Sequence, residues 1–188
     1  MGDGSVKLPP GFRFCPTEEE LVLHFLFRKA SLLPCHPDII PDLDLCMHDP
    51  WELEGKALSS ESLYYFFNKV TENRVTKSGY WKELQIDKPV LTSTGKKVGI
   101  KKYLLFCIGE GPAGFETAWI MHEYHLCNYG ECSKLVLCRV RERKGNLAEC
   151  FSSYSDDEDN GTELSTPDEM FLSIIEDDLD EISFARLV

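Results

Sequence analysis

Five segments between positions 63 and 140 are rich in aromatic and β-branched residues: Leu63 to Phe67, Gly79 to Leu84, Lys97 to Ile108, Glu116 to Tyr124 and Lys134 to Val140. This recurrence constrains the fold more than any other feature, because such runs fit the pleated, half-buried surface of a strand. Turn residues separate them, notably Ser93-Thr94-Gly95 and Gly109-Glu110-Gly111-Pro112, and short connections of this kind predict a largely antiparallel sheet.

The chain before the strands has a different texture. Thr17-Glu18-Glu19-Glu20 has the form of a capping box and opens an apolar-periodic run through Leu21, Phe25 and Leu26, which predicts a helix over about 18–30. Pro34, Pro37 and Pro41 then impose an extended path over 31–48, where Leu43-Asp44-Leu45 is expected to form a short edge strand. Asp49-Pro50-Trp51-Glu52-Leu53 reads as a helical turn with its proline at the first position. The fold class is therefore α+β, an antiparallel sheet with a few helices.

Charge divides the chain in two. Of the net −12, residues 151–188 contribute −11 from twelve acids and one arginine, while residues 1–150 carry 20 acids and 19 bases. The acidic, Ser-rich run after Lys144 buries too little apolar surface to offset its ordering entropy, so a largely disordered tail is expected. Near its end, Thr166-Pro167-Asp168-Glu169 looks like a helix start, and Phe171, Ile175, Leu179 and Ile182 follow at helical spacing. An acidic amphipathic helix over about 167–182 would suit a regulatory protein partner, and equally the protein's own core.

Against this acidity stands a basic island. Arg74, Lys77, Lys82, Lys88, Lys96, Lys97, Lys101 and Lys102 share the window 74–102 with only Glu83 and Asp87, a net +6. Basic residues interleaved with Tyr80 and Trp81 suit phosphate neutralisation. A lysine-rich solvated face around a buried tryptophan gives the same pattern, so charge alone leaves both readings open.

Other chemistry has little support. His122-Glu123-Tyr124-His125 lacks the two-residue gap that puts both histidines of a zinc protease on one helical face. Cys127, Cys132 and Cys138 with His125 are irregularly spaced, which favours buried or free thiols. No phosphate-cradling glycine loop and no nucleophile, base and orienter set is recognisable, so neither an enzyme, a cofactor nor a metal is expected. No apolar run reaches the ~18 residues of a membrane span, so no membrane partner is expected.

Five blocks, in order, resemble the NAC-domain plant transcription factors: Leu8-Pro9-Pro10-Gly11-Phe12-Arg13-Phe14-Cys15-Pro16-Thr17-Glu18-Glu19-Glu20-Leu21-Val22, Asp49-Pro50-Trp51-Glu52-Leu53, Thr76-Lys77-Ser78-Gly79-Tyr80-Trp81-Lys82, Val98-Gly99-Ile100-Lys101-Lys102 and Trp119-Ile120-Met121-His122-Glu123-Tyr124. The short tail is most similar to that of the xylem NAC proteins. The resemblance implies a twisted antiparallel sheet flanked by helices, a DNA-binding and dimerisation domain over 7–144, and a tail over 145–188. It implies dimerisation, with itself or with other NAC proteins, through Leu8, Pro9, Gly11 and Phe12, with Arg13 and Glu20 pairing across the interface. It also implies that the strand beginning at Gly79 enters the major groove of double-stranded DNA in the nucleus. Lys77, Lys82 and Lys88 match family basic positions, Arg74, Lys101 and Lys102 are candidate backbone contacts beside Lys96 and Lys97, and Tyr80 and Trp81 brace the strand.

The chain departs from the family where it would read DNA. Members usually follow Trp-Lys with Ala-Thr-Gly-Lys-Asp-Lys, whereas this chain has Glu83-Leu84-Gln85-Ile86-Asp87-Lys88. Glu83 would repel phosphate unless it accepts from a cytosine amino group, and Gln85 suits adenine. The expectation is a dimeric, sequence-specific transcriptional regulator with a weakened or redirected groove strand. The alternative is an interaction protein that pairs with other NAC factors or holds a partner through its tail, with little DNA contact. Tyr103-Leu104-Leu105-Phe106-Cys107 imperfectly matches a segment associated with repression in some NAC proteins, but reads more simply as a core strand. Lys96-Lys97 with Lys101-Lys102, and Arg139-Val140-Arg141-Glu142-Arg143-Lys144, are candidate nuclear-import patches.

Overall fold

In the computed structural model, residues 8–127 and 134–143 are described; the acidic tail and its Phe171, Ile175, Leu179 and Ile182 lie outside them, as does Cys132. The fold is α+β. Six antiparallel strands, β1 (Leu58–Ser60), β2 (Leu63–Lys69), β3 (Gly79–Leu91), β4 (Lys97–Ile108), β5 (Phe115–Leu126) and β6 (Leu135–Glu142), form one twisted sheet. Their order is β1-β2-β6-β5-β4-β3, which leaves β1 and β3 as the edges.

Alternation along the strands gives the sheet two apolar faces. Tyr65, Phe67, Tyr124, Leu137 and Val90 pack with Leu21, Val22, Phe25 and Leu26 of the N-terminal helix. Phe66, Trp81, Leu104, Phe106, Met121 and Cys138 point the other way and are covered by Leu45, Leu53 and Ala57. The helical run comprises an α-turn Glu18–Glu20, a π-helical stretch Leu21–Leu26 and a closing α-turn Phe27–Ala30. It starts where the capping box predicts: the Glu20 amide donates to Thr17 Oγ1 at 3.2 Å and the Thr17 amide donates to Glu20 Oε2 at 2.8 Å.

The helix ends in a Schellman arrangement, with the Leu33 amide on the Arg28 carbonyl at 2.8 Å and the Leu32 amide on that of Lys29 at 3.2 Å. Leu32 takes the left-handed position usually given to glycine, with φ 56°, and is 94% exposed, so its side chain gains almost no packing in return. Leu32→Gly is expected to raise unfolding stability by about 1 kcal/mol, read as a higher urea midpoint at unchanged slope; a lower midpoint would contradict this geometry.

Two expectations need correction. Leu43-Asp44-Leu45 forms no strand: the path makes one parallel bridge, Asp42 to Phe67, and then turns. The cause is Asp44, whose carboxylate accepts from the Cys46 amide at 3.0 Å and caps the 3₁₀ turn Leu45–Met47. The third strand does not stop at Leu84 but continues to Leu91 through a bulge, and the short strand Leu58–Ser60 joins the far edge. No helix among the described residues is long and apolar enough to cross a membrane.

Candidate nucleic-acid interface

The basic island is built on β3, β4 and the loop leading into them. That loop is pinned by Asp49, which is 3% exposed. Its carboxylate accepts from the Thr76 hydroxyl, from the Ser78 hydroxyl at 2.6 Å and from the Ser78 amide at 3.2 Å. The loop then lies along the start of β3, with the Trp81 amide on the Arg74 carbonyl at 2.9 Å and a bridge between Val75 and Tyr80. Trp81 is buried beneath it, in contact with Phe106. Beyond Lys82 no strand among the described residues pairs with the outer side of β3.

The register with β4 breaks at the point where the sequence departs from the family. Glu83 faces Leu104 and Asp87 faces Lys102, so Leu84, Gln85 and Ile86 stand opposite Tyr103 alone. The chain accommodates this bulge by placing Gln85 in the left-handed region at φ 56°, the position at which the family pattern has glycine.

Charges from both faces of the sheet meet at this edge. Cross-strand partners share a face, so Lys82, opposite Leu105, and Lys88, opposite Lys101, lie on the helix side. Glu83, opposite Leu104, and Lys102 lie on the other side with Arg74. Several of the cations are already engaged. Glu83 accepts from Arg74 through Oε2 and from Lys102 through Oε1, both at 2.7 Å. Arg74 also reaches Glu123, a 2%-exposed carboxylate on β5, at 3.0 Å. Lys82 holds Glu116 at 3.0 Å, and Lys101, 5% exposed, holds Glu18 at 2.6 Å.

Glu116, Glu18 and Glu123 all come from outside the 74–102 window, and counting them halves its +6. Lys77, Lys88, Lys96 and Lys97 carry no carboxylate partner among the described residues; Lys88 lies over the Tyr103 ring at 5.6 Å. The sequence pattern missed Asp49, Glu18, Glu116 and Glu123 as parts of this site. Glu123 was detectable, because an acid inside the apolar run Trp119 to Tyr124 is buried by the strand period and must find a cation. The others come together only through tertiary contacts.

The pairing shows in the proton affinities. Hydrogen bonding from Lys102, with further help from Arg74, holds the Glu83 carboxyl below its ordinary value despite partial burial. Burial by itself would raise Asp49, but donation by Ser78 and Thr76 outweighs it and the pKa is again lowered. A depressed carboxylate pKa contributes stability above the unfolded-state value, and that stability is lost as pH falls through the folded one. Thermal stability is therefore expected to be flat near neutrality and to fall below about pH 4. Glu83→Gln and Asp49→Asn should each flatten part of that fall; an identical profile in both variants would contradict the assignment.

The residues expected at the dimer contact form a separate group. Leu8 is half-buried, Pro9 is exposed, Gly11 has φ 86° and Phe12 is 71% exposed. Within one chain Arg13 pairs with Glu61 at 2.9 Å and Glu20 is occupied in the capping box. Of the import patches, Lys101 is enclosed, Arg139 donates to His122 at 2.8 Å, and Lys144 lies outside the described residues.

Comparison with known proteins gives the class to which this twisted sheet with its basic outer strand belongs, a plant transcription factor family. Residues 9–126 match the family described as No apical meristem (NAM) protein. The chain is 50% identical to NAC domain-containing protein 104 of Arabidopsis thaliana, over 95% of this chain and 99% of that one. It is 44% identical to NAC domain-containing protein 18 and 49% identical to NAC transcription factor 25, both of Arabidopsis thaliana. Those matches cover 76% and 67% of this chain but 52% and 42% of the relatives. The chain belongs to the NAC family, whose transcription factors bind DNA and typically dimerise.

Proposed function

We propose that the protein is a nuclear, dimeric regulator of transcription that reads double-stranded DNA with the β3 edge, and that Glu83 attenuates this contact from within. The geometry suits the ligand: the major groove is about 12 Å wide and admits strands, and cations on both faces of one edge can address both phosphate walls. The observation that carries the reading is Glu83 seated between Arg74 and Lys102 at 2.7 Å each. Phosphate must displace this carboxylate before either cation is available to it.

Lys77, Lys88, Lys96 and Lys97 are the cations ready for phosphate. The slope of log affinity against log salt is then expected to be about −4 per protomer, against about −7 if all eight basic residues contribute. The test is titration of the full chain with a family-type duplex and a scrambled one over a salt series. Preference for the family-type site with the shallow slope supports the proposal, and a slope near −7 refutes attenuation. Absence of preference favours the interaction-protein reading, in which Phe12 and its neighbours pair with other NAC chains and Phe171, Ile175, Leu179 and Ile182 hold a regulatory protein. The exposure of Phe12 at 71% supports a contact there under either reading.

A further inference from the structure

We infer that the tip of the β3 bulge reads an adenine·thymine step in the major groove, with Gln85 pairing to adenine and Leu84 or Ile86 packing on the thymine methyl. The inference rests on the DNA-reading function proposed above and adds base identity to it.

The bulge carries uncommitted chemistry. Three residues, Leu84, Gln85 and Ile86, stand against one across the ladder, on a strand whose other side is unpaired among the described residues. Gln85 is exposed, and no hydrogen bond among the described residues engages its amide. Its backbone sits at φ 56°, a conformation unfavourable to a residue with a Cβ and free to glycine. A strained backbone holding an idle, exposed polar side chain in an edge-strand bulge is a pattern typical of functional positions.

Of the neighbours that read other bases, three are occupied, and Lys88, on the helix side over the Tyr103 ring, is left for a phosphate. Arginine reads guanine, but Arg74 is held by Glu83 and Glu123. A carboxylate reads cytosine, but both Glu83 oxygens already accept from cations at 2.7 Å. Lys82 is held by Glu116. What remains is one carboxamide flanked by two half-buried aliphatic side chains. A glutamine amide donates to adenine N7 and accepts from adenine N6, while an aliphatic group meets the methyl that only thymine offers in this groove. Lys88, which has no carboxylate partner among the described residues, follows the bulge on β3 and suits an adjoining phosphate.

The test is selection of duplexes from a randomised library by the full chain, followed by titration of the enriched duplex carrying single-atom changes. The enriched sequence should contain a fixed adenine·thymine step. Deoxyuridine in place of its thymine should weaken binding several-fold, with the loss abolished in a Leu84→Ala, Ile86→Ala variant. Replacing its adenine by 7-deaza-adenine should cost roughly tenfold. Gln85→Gly, which suits the backbone and so retains the fold, should bind with the same salt slope but without the adenine preference. A fixed guanine·cytosine step, an unchanged preference in Gln85→Gly, or binding without base preference would each overturn this inference while leaving DNA binding intact. Failure to bind any duplex would overturn the function it rests on as well.

Discussion

Gly79→Ala is expected to destabilise the folded domain severely, to a urea midpoint far below that of the parent chain. A Cβ at position 79 would lie 1.9 Å from the Cys107 carbonyl oxygen, 2.9 Å from its carbon and 3.0 Å from the Ile108 Cα. All three atoms belong to the backbone of β4, so no rotamer change clears them and β3 must separate from its only full-length partner. The overlap is far deeper than that of an added methylene in a core, so a cost above about 4 kcal/mol is expected, a large share of the ~5–15 kcal/mol that holds a domain together. Gly95→Ala makes the control: it lies at φ 81° in the exposed turn between β3 and β4 with open space around it. It should cost only about 1 kcal/mol. Urea unfolding followed by circular dichroism separates the cases; a Gly79→Ala midpoint close to that of the control would mean that the strands do not pair in this register.

The second large effect is on binding. In Glu83→Ala, Lys102 loses its carboxylate and Arg74 keeps only Glu123. One cation is freed fully and a second in part, so the salt slope should steepen by about 1 to 2 and affinity at low salt should rise on the order of tenfold. Stability should fall at the same time by about 1 kcal/mol, because the lost pairs are partly exposed and solvent-screened. Opposite signs for binding and stability mark an internal competitor rather than a merely structural acid. Unchanged or weaker DNA binding by a folded Glu83→Ala protein would remove Glu83 from the attenuating role.

Much of this architecture was legible because burial follows strand period. Phe66 and Phe67, adjacent in sequence, go to opposite faces as alternation requires, and Thr17 with Glu20 marks the helix start to the residue. The strand Leu58–Ser60 escaped because three residues, two of them serine, carry no periodic signal. Leu43 to Leu45 misled because alternation over three residues is matched by chance, and the Asp44 side chain decides the outcome. At the candidate interface the basic residues were visible as a run of letters. Their neutralisation was not, because Glu18, Glu116 and Glu123 are brought to them only by the helix and by β5. The bulge was not visible: the sequence marked residues 83–88 as a departure from the family pattern, and only the backbone, with Gln85 at φ 56°, shows a bulge there.

Glu18 is the first residue of the N-terminal helix, and the same Oε1 receives Lys101 from β4 at 2.6 Å and the Tyr124 hydroxyl from β5 at 3.1 Å. Lys101 in turn stands directly across from Lys88 on the edge strand. The N-terminal segment and the β3 edge are thus joined by a short strut, with little slack between one end and the other. If two copies associate through residues 8–20, their edges are carried at a fixed angle and distance. The assembly then works as a caliper, accepting paired half-sites at one helical phase and rejecting those offset by half a turn.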